Sequence, residues 1–356
     1  MKKTIPWLAL GAAFPWLAPS ALAADEQAVL PSVSITATRE AGLNAPLATG
    51  SNLDVTSFQT PASVSTITRE QLDKRGDASI VDAVTRSTGI SSLAHPGNGG
   101  SSLAARGFTD STSVMRLYDG TRQYGGVGVT FPFDTWSIDR IEILRGPASV
   151  VHGDGAIGGV INAIPKKPRR APIENEVQAT MGTDNTQRLG FGSGGAINDK
   201  LSYRLDVSGD RSEGWVDRGD SRNRTFSGAV QLDVSPEFSL RLSHAQGRQS
   251  PMRYFGTPLI NGQQPPALRE KNYNVGDSTI QYRDHWTELA AQWAPRGGTT
   301  VRSRLYRIDS KRYWRNAESY AYNPRTGLVD RSGNTQIRHD QSQTGNTTDA
   351  TFKGSL

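Results

Sequence analysis

The segment Ile138-Asp-Arg-Ile-Glu-Ile-Leu-Arg-Gly-Pro-Ala-Ser-Val-Val-His-Gly-Asp-Gly-Ala-Ile-Gly-Gly-Val-Ile-Asn-Ala-Ile-Pro-Lys-Lys-Pro168 decides how this chain folds. Residues 138–145 predict a strand on which Arg140 and Glu142 share a face. A Gly-Pro break follows, then Gly153-Asp-Gly155-Ala-Ile-Gly158, then a β-branched stretch ended by Pro165. The glycine run matches the G-x-G-x-x-G spacing of dinucleotide-binding turns. That chemistry needs a helix N-terminus after the glycines to hold pyrophosphate. Val160 to Ile164 is β-branched and leaves no room for a helix, so the glycines are read as tight turns. Lys166-Lys-Pro-Arg-Arg170 is read as a solvated linker and not as a nucleic-acid contact.

Working outward, residues 61–170 predict a compact α+β unit. Residues 65–72 read as a strand entering a short helix. Asp77 reads as the cap of a second helix carrying Ile80, Val81 and Val84, stopped by Thr88-Gly89. Residues 103–108 and 114–118 read as further strands. From residue 171 the pattern changes to long alternating strands. Leu201, Tyr203, Leu205 and Val207 face one way; Ser202, Arg204, Asp206 and Ser208 face the other. Phe226 to Val234 and the stretch around residues 301–306 repeat the theme. Apolar-out, polar-in strands of about ten residues predict a transmembrane barrel, with a soluble sandwich as the alternative. Residues 249–276 carry four prolines and read as a long external loop. Residues 313–333, rich in Tyr, Trp, Asn and Arg, read as a second one.

The N-terminus reads as an export signal over residues 1–23. Lys2 and Lys3 precede a short apolar run that ends in Ala21-Leu22-Ala23. The formal charge of +6 falls to +4 without those two lysines, a mild excess that points to no particular partner. The absence of cysteine excludes disulfides and thiolate metal sites. No G-x-S-x-G or H-E-x-x-H motif occurs. The five histidines fall at no metal-ligand spacing, so neither an enzyme nor a resident metal is expected.

The 138–168 segment, together with Arg106-Gly-Phe108 and Tyr118-Asp-Gly120, resembles the TonB-dependent outer-membrane receptors. The stretch Phe131-Pro-Phe-Asp-Thr-Trp-Ser-Ile-Asp139 resembles the siderophore receptors among them. The resemblance implies an α+β plug domain over residues 61–170. Transmembrane antiparallel β-barrel strands over residues 171–356 follow it. It implies localisation in the outer membrane and contact with outer-membrane lipid. It also implies transport of a ferric siderophore, with the iron carried by that ligand and no cofactor held by the chain. Haem, cobalamin or another metal chelate is the alternative cargo, and a non-transporting truncated product the alternative from another class. Residues 24–60 are then an N-terminal extension, in which Val33, Ser34, Ile35, Thr36 and Ala37 resemble the TonB box, the strand offered to TonB. Arg140, Glu142 and Arg145 are implied to latch plug to barrel. His95, Asp110, Tyr124, Phe131 and Phe133 are implied to lie near the outward apex and the ligand. About eight strands fit into residues 171–356, against roughly 22 for a family barrel, so an incomplete barrel is expected.

Overall fold

The computed structural model describes residues 47–49, 56, 59, 62–93, 96–98, 102–124, 130–148, 152–295 and 298–352. The expected export signal, the TonB-box residues Val33 to Ala37 and His95 lie outside the described residues.

The first body is α+β. Strand β1 (Ser63–Thr68) runs into helix α1 (Arg69–Arg75), whose start is fixed by a capping box. The Thr68 side chain accepts from the Gln71 backbone N–H, and the Gln71 side chain accepts from that of Thr68. Gly76, at φ 65°, ends it in the left-handed conformation that glycine adopts without a Cβ penalty. Helix α2 (Ile80–Thr85) is capped by Ser79, whose hydroxyl accepts from the Asp82 N–H. The cap is therefore Ser79 and not Asp77. Asp77 is buried and pairs with Arg86 at 2.6 Å. Strands β2 (Ile90–Ser92) and β3 (Leu103–Ala105) form a small hairpin sheet. β3 is shorter than the expected 103–108 because Arg106 and Gly107 turn the chain at φ 53° and 84°.

Strands β4 (Val114–Tyr118), β5 (Thr121–Arg122), β6 (Ile138–Arg145) and β7 (Gly159–Pro165) join β1 in a sheet of order β1-β6-β7-β4-β5. β4 and β5 are joined by Asp119-Gly120, at φ 47° and 81°. Two left-handed residues in a two-residue loop are what a type I′ hairpin turn requires, and Asp-Gly supplies them at low cost. Ile141, Ile143 and Ile161 pack with Ile67, Leu72, Ile80 and Val84 from β1 and the helices to form the core.

The second body is a sheet of eight antiparallel strands in sequence order: β8 (Glu174–Gly182), β9 (Thr186–Ala196), β10 (Leu201–Ser212), β11 (Ser221–Ser235), β12 (Phe238–Ser250), β13 (Thr279–Trp293), β14 (Thr299–Asn323) and β15 (Leu328–Phe352). β8 and β15 are its two edges. Its alternation follows the sequence pattern. Ser202, Asp206 and Ser208 are buried, whereas Val207, Val230, Leu232 and Val234 are exposed on the other face. Residues 251–278 are irregular apart from one 3-10 turn at Pro266–Leu268. Residues 313–333 are not a loop. They continue β14 and β15 as a hairpin closed by residues 324–327.

The α+β body is seated on the polar face of the sheet. The Trp136 indole N–H donates to Phe191 O at 2.9 Å, and its ring covers Gly190 so closely that a Cβ there would come within 2.7 Å of it. Phe133 and Phe131 cover Gly247 in the same way. Gly190→Val should push the indole off the strand and lower thermal stability by about 1–3 kcal/mol. Unfolding followed by tryptophan fluorescence checks this, and an unchanged melt would contradict the seating.

Candidate functional site

The charged contacts between plug body and sheet centre on the β4–β5 turn. Asp119 pairs with Arg241 of β12 at 3.2 Å and with Lys167 at 2.8 Å, and Arg304 of β14 donates to its backbone carbonyl. Burial alone would raise the Asp119 carboxyl, but Lys167, Arg241 and Arg304 outweigh it and hold the group well below the usual carboxylate range. Arg241 also pairs with buried Glu288 at 3.4 Å. Three further ties flank this one. Asp134 meets Arg188 at 2.8 Å, Lys166 meets Glu176 at 2.7 Å, and Arg170 meets Asp233 at 2.6 Å.

A polar chain leads from that turn to the N-terminal side. The Gly120 N–H donates to Asn162 Oδ1 at 3.0 Å. Asn162 Nδ2 donates to Thr49 Oγ1 at 3.0 Å, and the Thr49 hydroxyl donates to Glu142 Oε2 at 2.6 Å. The Ala48 N–H donates to the same oxygen at 3.0 Å, and Arg140 pairs with Oε1 at 2.9 Å. Glu142, Asn162 and Thr49 are completely buried. His152 Nε2 lies 2.8 Å from Thr49 O, which as a carbonyl can only accept. A cavity of about 310 Å³ lies beside the chain, lined by Leu47, Ala48, Asp119, Lys167, Arg241 and Arg304 among others.

Of the residues implied as a latch, Arg140 and Glu142 thus meet each other and the 47–49 segment, and Arg145 donates to Thr88 O at 2.8 Å. Among the described residues, the ion pairs from plug to sheet are made by Asp119, Asp134, Lys166 and Arg170. The sequence left Asp119 unmarked as a charged contact, although its Asp-Gly turn was visible.

The opposite end carries aromatic residues. At the turn Pro96–Asn98, the Gly97 N–H donates to Tyr254 O at 3.2 Å, and the Tyr282 hydroxyl donates to Gly97 O at 3.1 Å. Trp314 Nε1 donates to the Tyr282 oxygen at 2.8 Å, and Phe255 and Ile280 complete the cluster. A Cβ on Gly97 would strike the Phe255 ring, so only glycine allows this approach. Tyr124 is exposed, with Arg122 over its ring at 4.5 Å and its N–H donating to Gln343 at 2.9 Å. Asp110 caps its own turn by accepting from Thr112 and Ser113, which holds its carboxyl below the usual range. Phe131 and Phe133 are buried between plug and wall; Phe131 stands 5.2 Å from Tyr118 and 6.3 Å from Trp286. The four described residues implied for the ligand, Asp110, Tyr124, Phe131 and Phe133, are therefore not gathered at one place.

The pattern that defines the TonB-dependent receptor plug domain matches residues 56–160. Residues 56–160 are a TonB-dependent receptor plug. The chain is 28% identical over 267 residues to the ferrichrome outer membrane transporter/phage receptor of Escherichia coli K12, covering 67% of this chain and 34% of that one. It is 30% identical over 155 residues to the ferrioxamine B receptor of Salmonella typhimurium, covering 43% and 22%. The siderophore receptor PiuA of Acinetobacter baumannii superposes with a TM-score of 0.72 at 17% identity, over 88% of this chain and 46% of that one. The closed form of the ferric-catecholate import receptor Fiu from Escherichia coli K12 gives 0.73 at 19%, over 88% and 47%. The chain thus has the fold of a receptor plug with barrel strands, and it spans about a third of the length of the ferrichrome transporter.

Two outcomes follow for the plug. Asp119→Asn keeps a residue suited to the type I′ turn but removes the charge. Hydrogen exchange of β4 and β7 should quicken as if docking had lost about 3 kcal/mol, and Asp119→Ala should do no better. Wild-type exchange in Asp119→Asn would show that the ion pairs contribute nothing. His152 gives a pH dependence. Burial depresses its pKa, although the Thr49 carbonyl opposes this. The neutral ring is therefore the folded form. Its contribution is fully present above the ordinary histidine value of about 6.5 and falls as pH drops below it. Exchange at Ala48 and Thr49, corrected for intrinsic rates, should rise on acidification in the wild type but not in His152→Gln.

Proposed function

We propose that this chain serves TonB-dependent import of a ferric siderophore across the outer membrane. The observation that carries the reading is that one plug is tied at both ends. Its Pro96–Asn98 turn is held by the aromatic cluster beside the long irregular connection, and its core is held by Thr49 to the N-terminal segment. A ligand that engages the first end and a partner that pulls the second act on the same small body. The named relatives are receptors for ferrichrome and ferrioxamine B, which supports a hydroxamate-type chelate as the cargo.

The mechanism starts outside. A bulky chelate engages the end of the plug where Tyr254, Phe255, Tyr282 and Trp314 hold the Pro96–Asn98 turn, with Arg253 and Arg315, paired with Asp220 and Asp277, close in sequence for its anionic oxygens. Iron stays inside the chelate, so the chain needs no metal ligands of its own. On the periplasmic side, TonB adds a strand to Val33, Ser34, Ile35, Thr36 and Ala37. Traction there draws Ala48 and Thr49 away from Glu142. The carboxylate loses two of its donors while still buried, a state that costs several kcal/mol. Asn162 loses its Thr49 partner as well, and the Asp119 turn above it is next to yield.

Titration of the purified protein with ferrichrome, ferrioxamine B, haemin and cyanocobalamin, followed by tryptophan quenching, tests the cargo. Saturable binding of the ferric hydroxamates is expected; binding of haemin or cyanocobalamin alone would overturn it. Ile35→Pro removes a strand donor and fixes φ. It should abolish energised uptake and leave ligand binding intact, and unchanged uptake would place the TonB contact elsewhere.

A further inference from the structure

The outward face of the eight-stranded sheet is divided into two halves of different chemistry. On β8, β9 and β10 it carries Val177, Met181, Leu189, Phe191 and Val207, all exposed, as a strand beside hydrocarbon requires. On β15 the outward residues between Phe352 and Asp340 are Ala350, Thr348, Asn346, Thr344 and Ser342, also exposed. They point away from the plug, because Gln343, between two of them, donates to Arg122 O of the plug at 3.0 Å. From Phe352 to Ser342 the strand rises roughly 23 Å at a tilt of about 45°, nearly the full height of the apolar band. One alanine and four polar residues therefore stand where lipid chains are expected.

The neighbouring strands extend this patch. Thr344 stands opposite Arg307 of β14, and Arg307 opposite Thr287 of β13. One step nearer the outer surface, Ser342 faces Asp309 and Asp309 faces His285. Arg307 pairs with Asp309 at 2.9 Å, and His244 of β12 shares a 2.8 Å hydrogen bond with Thr287. Asn346 donates to Ser303 Oγ at 3.2 Å and to Arg304 O at 3.0 Å, and accepts from Thr348 at 3.0 Å. The hydroxyls and the carboxamide oxygen keep acceptor capacity beyond these bonds, and hydrocarbon has nothing to fill it. Ionisable side chains at membrane depth are costly against lipid and characteristically face protein or water.

We infer that the outward patch of Arg307, Asp309, Ser342, Thr344 and Asn346 is an interface with a second copy of this chain within the membrane. The patch is complementary to itself. Its hydroxyl and amide groups both donate and accept, and its two charges are of opposite sign on one strand. Two copies inserted in the same direction are related by a two-fold axis along the membrane normal, which brings equal heights of the same patch together. Arg307 and Asp309 differ in height by only about 5 Å, so Arg307 of each copy reaches Asp309 of the other. The apolar half over β8 to β10 stays on the lipid. The inference rests on the membrane placement of the sheet and is independent of the cargo.

The sequence has no cysteine, so single cysteines report proximity without background. Outer membranes carrying the full chain with Thr344→Cys are oxidised and compared with Val207→Cys, which faces outward on the apolar half. Thr344→Cys should give at least about tenfold more disulfide-linked dimer, because the interface holds its two thiols together while the others meet only by collision. In an uncharged detergent the wild type should run as a dimer by native mass spectrometry. Arg307→Leu with Asp309→Leu makes the patch apolar and should weaken that dimer at least about tenfold. Arg307→Asp alone should be monomeric, and Arg307→Asp with Asp309→Arg should dimerise again. Circular dichroism verifies β-structure; for any variant that does not insert, the two single cysteines carry the test. A monomeric wild type, equal cross-linking from both cysteines, or Thr344→Cys linked to another protein and not to itself would each overturn the interface. So would a dimer that persists in the double-leucine variant, as pairing through the β8 and β15 edges would give. Siderophore titration of the same samples separates failure of the interface from failure of the transport reading.

Discussion

The Asp119 carboxylate, held among Lys167, Arg241 and Arg304, is the contact on which the rest of the molecule depends. A plug inside a barrel has to bury polar strand faces on both partners, because the wall presents its polar side inward. That face cannot be covered by hydrophobic packing alone. It needs charges matched to charges, and unpaired ions there would be expensive. The β4–β5 turn delivers the Asp119 carboxylate to Arg241 of the wall and Lys167 of the linker, and its backbone carbonyl to Arg304 of the wall. Asp134, Lys166 and Arg170 repeat the device around it.

The same turn is coupled inward. Its Gly120 N–H rests on Asn162, Asn162 on Thr49, and Thr49 on Glu142. Asn162, Thr49 and Glu142 are completely buried, so the links among them are electrostatically stronger than they would be in water and costly to leave half made. Docking to the wall and attachment of the N-terminal segment are thus one network. The outer face of the same strands follows the opposite rule. Val230, Leu242, Leu289 and Leu305 stand exposed on it.

Much of the architecture was legible from local pattern. Strand β6 falls on the expected residues 138–145 because hydrophobic alternation and a Gly-Pro stop both mark it. The sheet strands show polar-in alternation because membrane and plug impose opposite chemistries on their two faces. Residues 313–333 were misread for the complementary reason. Beyond the membrane both faces of that hairpin meet polar surroundings, so alternation disappears although the strands continue. Asp77 is a residue type suited to the cap, but it is buried against Arg86, and Ser79 caps the helix instead. The plug-to-wall ties were out of reach. Asp119 and Arg241 are 122 residues apart, Asp119 and Arg304 are 185 apart, and nothing local marks either pairing.

The account stands or falls on whether the buried relay transmits force between N-terminal segment and plug. Radioiron-labelled ferrichrome or ferrioxamine B uptake, measured in cells that depend on this protein and contain TonB, tests it directly with Glu142→Ala. The account expects surface binding at wild-type affinity, because the aromatic end is untouched, together with lost or leaky energised uptake, because traction at Thr49 no longer reaches the Asp119 turn. Wild-type, fully TonB-dependent uptake by Glu142→Ala would contradict it.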